Sequence, residues 1–138
     1  MIIRKVPGDI FKGPEKHIAF AINVEGYNDS GFAGVISANF WPQLVNTGTQ
    51  KLGTVLSKEC KGRTFHAIVC HGLKSENGGW EQAPQMIKNG LDSINTNGEP
   101  IAIVPIGAGL VGMLSGADPK ANIMGMEASK QKVILYGV

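Results

Sequence analysis

Two glycine-rich runs carry the residues best suited to chemistry in this chain: Asn28-Asp29-Ser30-Gly31-Phe32-Ala33-Gly34 and Gly107-Ala108-Gly109-Leu110-Val111-Gly112. Each follows an apolar stretch. A backbone stripped of Cβ atoms lets an anion approach the main chain, and the N–H groups freed at a helix start point towards it. The chemistry expected of such runs is phosphate binding by backbone dipoles rather than by formal charge. The plainer alternative is a pair of strand-to-helix turns that need glycine only for tight packing. Glycine numbers 19 of 138 residues, about twice the average share, and several of these glycines cluster just after apolar strands.

The second run matches G-x-G-x-x-G letter for letter, so a dinucleotide-binding Rossmann unit has to be weighed. The order of elements argues against it. Only one helix and one strand are expected to follow this run, whereas the Rossmann motif opens a βα unit. The next helix is expected to start at Asp118, not at the third glycine. No acidic residue ends a strand about twenty positions on, where ribose recognition would need it.

Other reactive side chains form weaker patterns. Cys60, His66, Cys70 and His71 fit no common zinc spacing, so no metal site is expected. On a strand, His66 and Cys70 would share one face and His71 the other. No G-x-S-x-G elbow is present. Lys51 reads first as a solvated lysine at a strand edge; a nucleophilic role would require a lowered pKa. Trp80 reads as a packing residue, with stacking on a base as the alternative.

The elements that must position these runs can be read from the pattern. Strands are expected at Met1–Val6, His17–Val24, Gly53–Ser57, Thr64–His71, Pro100–Ile106 and Lys132–Tyr136. Helices are expected over Gly31–Phe40, over Trp80–Asn95 with Pro84 in the first turn, and from Asp118-Pro119 to about Lys130. The alternation implies an α/β fold with a mixed or mostly parallel sheet covered on both faces. No linker or repeat divides residues 1–138, so a single domain is expected.

Composition narrows the function classes. Lys plus Arg number 13 against 11 Asp plus Glu, with no basic stripe, which disfavours a protein that tracks nucleic acid and predicts no sequence-specific nucleic-acid binding. Two cysteines make no disulfide framework, and Met1–Val6 is no signal peptide. The apolar stretch Ile101–Leu114 is too short to span a bilayer. The expectation is a soluble, cytoplasmic chain that does not engage membranes.

The motifs, taken in order, resemble those of macro domains. Gly8-Asp9-Ile10-Phe11 after the first strand is similar to that family's G-D-I/L motif; the resemblance implies that Asp9 contacts the adenine amino group, with Ile10 beside it. Asn23 near a strand end, followed by Ser30-Gly31-Phe32-Ala33-Gly34, resembles the first phosphate loop. Pro105-Ile106-Gly107-Ala108-Gly109-Leu110 resembles the second, with Val111 and Gly112 continuing it. The likeness spans nearly the whole chain and implies a three-layer α/β/α fold that takes ADP-ribose, or an ADP-ribosylated macromolecule, with no cofactor. Asn23 would then lie near the distal ribose. Lys51-Leu52-Gly53-Thr54-Val55 is similar to the catalytic lysine segment of the branch typified by the terminal ADP-ribose protein glycohydrolase. In that branch an aspartate follows the second loop, where this chain has Val111. The resemblance therefore implies ADP-ribosyl binding, with Lys51 the candidate catalytic residue for hydrolysis or for release of a terminal phosphate. The alternative is a non-catalytic macro-like module that binds another nucleotide or a protein partner.

Overall fold

A computed structural model describes residues 1–137. In chain order the strands and helices are β1 (Ile2–Val6), β2 (His17–Asn23), α1 (Gly31–Asn39), β3 (Val55–Cys60), β4 (Arg63–His71), α2 (Ala83–Ser93), β5 (Ile101–Ile103), α3 (Leu110–Leu114), α4 (Pro119–Ala128) and β6 (Val133–Tyr136). Single 3-10 turns lie at Ile10–Lys12, Pro42–Asn46 and Ser75–Asn77.

The six strands form one mixed sheet in the order β1-β6-β5-β2-β4-β3. All neighbours are parallel except the β3–β4 hairpin. That hairpin turns at Lys61 and Gly62, with φ of 54° and 80°, the left-handed geometry that suits the twist of a two-residue connection. Two cores sandwich the sheet. One joins Phe20, Ile22, Phe65 and Val69 to Ile36 of α1 and to Leu44. The other joins Ile68, Cys70, Ile101 and Leu135 to Ile87 and Leu91 of α2 and Met126 of α4. The layering is α/β/α, as the alternation of elements implies.

Local signals set most element ends. Asp118 caps α4 by accepting from the Ala121 N–H at 3.1 Å, and Pro119 occupies the first turn. Helices α2 and α4 approach closely because Gly125 faces the Pro84 carbonyl; a Cβ there would sit 2.3 Å from that oxygen. Several boundaries differ from expectation, among them β3, which runs Val55–Cys60 and not Gly53–Ser57. Helix α2 starts at Ala83, so Trp80 lies in the preceding turn and not in the helix. Strand β5 stops at Ile103 instead of reaching Ile106, because the chain leaves the sheet through Pro105, which has no N–H for a ladder. A short helix, α3, follows Gly109 directly where no helix was expected. A helix thus does begin within the second glycine run, before Asp118, but at five residues α3 is too short to be a Rossmann helix.

Candidate functional site

Parallel strands β2, β4 and β5 end together at one edge of the sheet, and their loops enclose a cleft of about 420 Å³. It is lined by Asn23, residues 27–33, His71, Leu73, Trp80, residues 104–107 and residues 109–112, with Phe20, Ala21 and Ile22 at its floor. Both glycine runs thus face the same cavity, at the carboxyl ends of the strands where open α/β sheets place their ligands.

The first loop is built by asparagines. The Asn23 amide accepts from the Tyr27 N–H and donates to the Tyr27 carbonyl, both at 2.8 Å, closing the turn that follows β2. Asn28 donates to the Leu44 carbonyl and the Thr47 hydroxyl at 3.1 and 3.2 Å. Ser30 occupies the N-cap of α1, yet its side chain makes no capping bond. Gly34 is required by contact, since a Cβ would lie 2.9 Å from the Asp29 carbonyl carbon and oxygen.

The second loop is held from below. Asn122 of α4, fully buried, donates to the Ile106 carbonyl at 2.9 Å. Gly107 turns the chain with φ of 82°. Gly112 packs directly over it, so a Cβ there would sit 2.8 Å from the Gly107 Cα. Trp80 joins this loop to β4: its Nε1–H donates to the Ser115 hydroxyl at 2.8 Å, and its ring stacks on the His71 imidazole at 3.6 Å between centroids.

Among the described residues, the N–H groups of residues 31–33 and 110–112 donate to no protein group. Two buried side-chain atoms also lack a partner, Asn28 Oδ1 and His71 Nδ1, and both residues line the cleft. Orphaned polar atoms of this kind are rare in native proteins. Here donors and acceptors gather unpaired in one cavity. Burial pushes the His71 pKa down to about 4, against the opposing pull of the Glu25 carboxylate, so the imidazole is neutral at neutral pH. Glu25 itself anchors the far rim by accepting from the Leu73 and Lys74 N–H groups and from Asn77. Its burial would raise the pKa, but those hydrogen bonds, together with one from its own backbone N–H, outweigh that effect and lower it to about 2.

Of the residues singled out in the sequence, Asn23, Ser30, Gly31, Phe32, Ala33, Gly107, Gly109, Leu110, Val111 and Gly112 line the cleft. Gly34 and Ala108 belong to the loops without lining it. Asp9 caps its own turn by accepting from the Phe11 N–H at 2.9 Å, and Ile10 is buried in the core. Their turn reaches the first loop through Phe11, which stacks on Phe32 at 5.5 Å between centroids. Lys51 is exposed in the segment before β3 and is not among the lining residues. Asn28 and Asp29, which open the first glycine run, line the cleft as well, whereas sequence reading did not place His71, Tyr27 or Leu73 in a site. For His71 a signal is present in the sequence, since it ends the strand β4 that runs beside the strand leading into the first glycine loop.

A second polar cluster lies away from the cleft. His66 Nδ1 faces the Ser57 hydroxyl at 2.7 Å, and its Nε2 faces His17 Nδ1 at 2.9 Å. Burial, and then the neighbouring His17, lower its pKa to about 4. Every ring nitrogen of His66 is thereby satisfied, which is what a buried imidazole requires.

No family model and no curated protein matches the chain. Solved structures do. The macrodomain of Mycobacterium tuberculosis DarG superposes with a TM-score of 0.72 at 12% identity, covering 99% of this chain and 97% of that one. A variant of the Oceanobacillus iheyensis macrodomain, solved with ADPR, superposes with a TM-score of 0.63 at 16% identity over 96% of this chain and 82% of that one. The alphavirus P23pro-zbd superposes with a TM-score of 0.65 at 17% identity over 96% of this chain, which spans only 21% of that larger protein. At these identities the likeness is one of fold, and it agrees with the strand order and layering described above: the chain has the macrodomain fold.

Proposed function

We propose that the cleft binds ADP-ribose, free or attached to a macromolecule, with the pyrophosphate held between the two glycine loops. The observation that carries this reading is the convergence of residues 31–33 and 110–112, with their free N–H groups, on one cavity of about 420 Å³. Small-molecule sites commonly span about 300–1,000 Å³. No Lys or Arg lines the cavity among the described residues. A diphosphate would therefore be neutralised by backbone dipoles, which need no reorganisation when it arrives. That a macrodomain of the same fold was solved with ADPR supports the choice of ligand.

Within this reading the distal ribose lies towards Asn23, His71 and Trp80, where a hydroxyl can meet the unpaired nitrogen of a neutral imidazole. The adenine lies towards Phe32 and the Asp9–Ile10 turn, where the carboxylate oxygen of Asp9 not used in capping can accept the amino group. The two free cysteines, Cys60 and Cys70, suit a reducing, cytoplasmic setting.

Binding is the part of the function that the geometry carries. Val111 offers no group for proton transfer, and Lys51 is exposed outside the lining, so hydrolysis is a separate step to be tested. Titration calorimetry with ADP-ribose, with Trp80 fluorescence as a second readout, tests binding. The absence of both heat and thermal shift at millimolar ADP-ribose refutes it. Turnover of ADP-ribosylated protein, nucleic acid and ADP-ribose 1″-phosphate tests hydrolysis. There the expected signature is a Lys51→Ala variant that binds as wild type but turns nothing over, and unchanged activity eliminates the lysine.

A further inference from the structure

A second place in the molecule holds the parts of a nucleophilic site. Ser57 of β3 stands directly opposite His66 of β4 in the antiparallel ladder, and Ala19 of β2 stands beside His66 on its other side. His17 is two residues before Ala19, so it shares that face as the diagonal neighbour. The three side chains form a file: the Ser57 hydroxyl meets His66 Nδ1 at 2.7 Å, and His66 Nε2 meets His17 Nδ1 at 2.9 Å. This file starts at the first residue of β2, whereas the glycine-loop cleft lies at the other end of that strand, around Asn23. Any two partners would satisfy a buried imidazole. Here one partner is an exposed hydroxyl that opens, with His66 itself, on a pocket of about 340 Å³ lined by Val55, Ser57, His66, Ser93, Ile94 and Asn95. Val55 and Ile94 give that pocket an apolar wall. Asn95 is fixed through its Oδ1, which accepts from the Asn97 N–H at 3.1 Å, while its Nδ2 donates to none of the described residues. An amide N–H is thereby free in the same pocket as the hydroxyl, where an oxyanion needs a donor.

We propose that Ser57, His66 and His17 form a separate esterolytic centre for small acyl esters, with Ser57 the nucleophile, His66 its general base and His17 the positioning residue. The proposal is independent of the reading of the glycine-loop cleft. His66 Nε2–H donates to His17 Nδ1, which leaves His66 Nδ1 unprotonated to accept from Ser57. The hydroxyl proton passes to Nδ1 as Oγ bonds to the acyl carbon, and Asn95 Nδ2 donates to the oxyanion. Collapse breaks the bond to the alcohol, which leaves with that proton. Water then adds to the acyl carbon and gives its proton to Nδ1; the bond from carbon to Oγ breaks, and Oγ takes the proton back. Ester and water become acid and alcohol, and no other reactant enters. Burial, and then the neighbouring His17, keep His66 neutral at neutral pH. It is ready to accept a proton but is a weak base, so the centre favours esters with good leaving groups.

A fluorophosphonate probe, which phosphonylates activated serines, and hydrolysis of p-nitrophenyl acetate test this on the whole chain. One phosphonyl group per chain is expected, mapped to Ser57 by peptide mass. Ser57→Ala changes an exposed position, so the variant should fold as wild type. It is expected to take no label and to lower kcat by about 100-fold or more. His66→Gln should do the same, with thermal unfolding showing that it is folded. His17→Phe should lower kcat at unchanged KM, and His17→Gln, whose amide oxygen can accept from Nε2–H, should recover part of the loss. A purely structural histidine pair would give neither that split nor that rescue. No label, or label elsewhere than Ser57, overturns the proposal, and so does hydrolysis that survives Ser57→Ala. A nitrogen NMR spectrum with His66 protonated at Nδ1 overturns it as well, since the serine would then accept the hydrogen bond instead of donating it.

Discussion

Replacing Gly112 with alanine tests the two-loop cradle at its tightest point. The new Cβ would lie 2.7 Å from the Gly107 oxygen and 2.8 Å from its Cα. Both are main-chain atoms that no rotamer change can move. Reaching ordinary van der Waals contact requires the loop to open by roughly 0.6 Å. A displacement of that size takes the N–H groups of residues 110–112 off good hydrogen-bond geometry with a phosphate. Hydrogen bonds to a charged group are worth about 1.5–3 kcal/mol each. Loss of one, with weakening of a second, costs about 2–4 kcal/mol, or roughly 30- to 700-fold in Kd. Gly109 supplies the control. Its φ of −73° is ordinary, and nothing lies within 4 Å of an added Cβ, so Gly109→Ala should bind within about twofold of wild type. Calorimetry with ADP-ribose gives the affinities, and thermal unfolding shows that each variant is folded. Alanine is the better helix former by about 1 kcal/mol, so a Gly112→Ala protein that binds as wild type and melts higher would refute the steric argument. Equal damage from the two substitutions would refute it as well.

Three further predictions concern the scaffold. His66 and His71 both have folded-state pKa values lowered to about 4, so between pH 6.5 and 4 the unfolded chain takes up protons that the native state refuses. Stability should fall across that window by up to about 3 kcal/mol per histidine; urea denaturation against pH should show the slope, His66→Gln should flatten it, and an ordinary titration of His71 near 6.5 by NMR would contradict the buried stack on Trp80. Glu25 acts in the opposite sense: its pKa is lowered to about 2, so its stabilisation is present above pH 4.5 and lost as the pH falls towards 2. Glu25→Gln should cost about 1–2 kcal/mol at pH 7 and loosen the 72–79 segment, read as faster amide exchange at Leu73 and Lys74. Gly125→Ala should cost about 1–3 kcal/mol in chemical denaturation, since its Cβ would meet the Pro84 carbonyl at 2.3 Å; a neutral effect would show that α2 and α4 can separate without penalty.

The sequence by itself determined the elements whose signals are local. Asp118-Pro119 marks the start of α4, and the apolar run His17–Val24 a buried strand, because caps and burial patterns act over a few residues. The two glycine runs were legible for the same reason: freedom from Cβ is a property of the residue itself. What only the tertiary structure decided is which distant segments meet. His71 reaches the cleft because β4 lies parallel to β2, with Asn23 in register beside it, and Trp80 covers it only because the loop before α2 folds back over the second glycine run. The five-residue α3 was hidden, since a run such as LVGML has no periodicity of its own and is helical only where Gly107 and Gly112 touch. Strand pairing, register and the gathering of unpaired polar atoms depend on contacts between residues tens of positions apart, and no window along a single chain contains them.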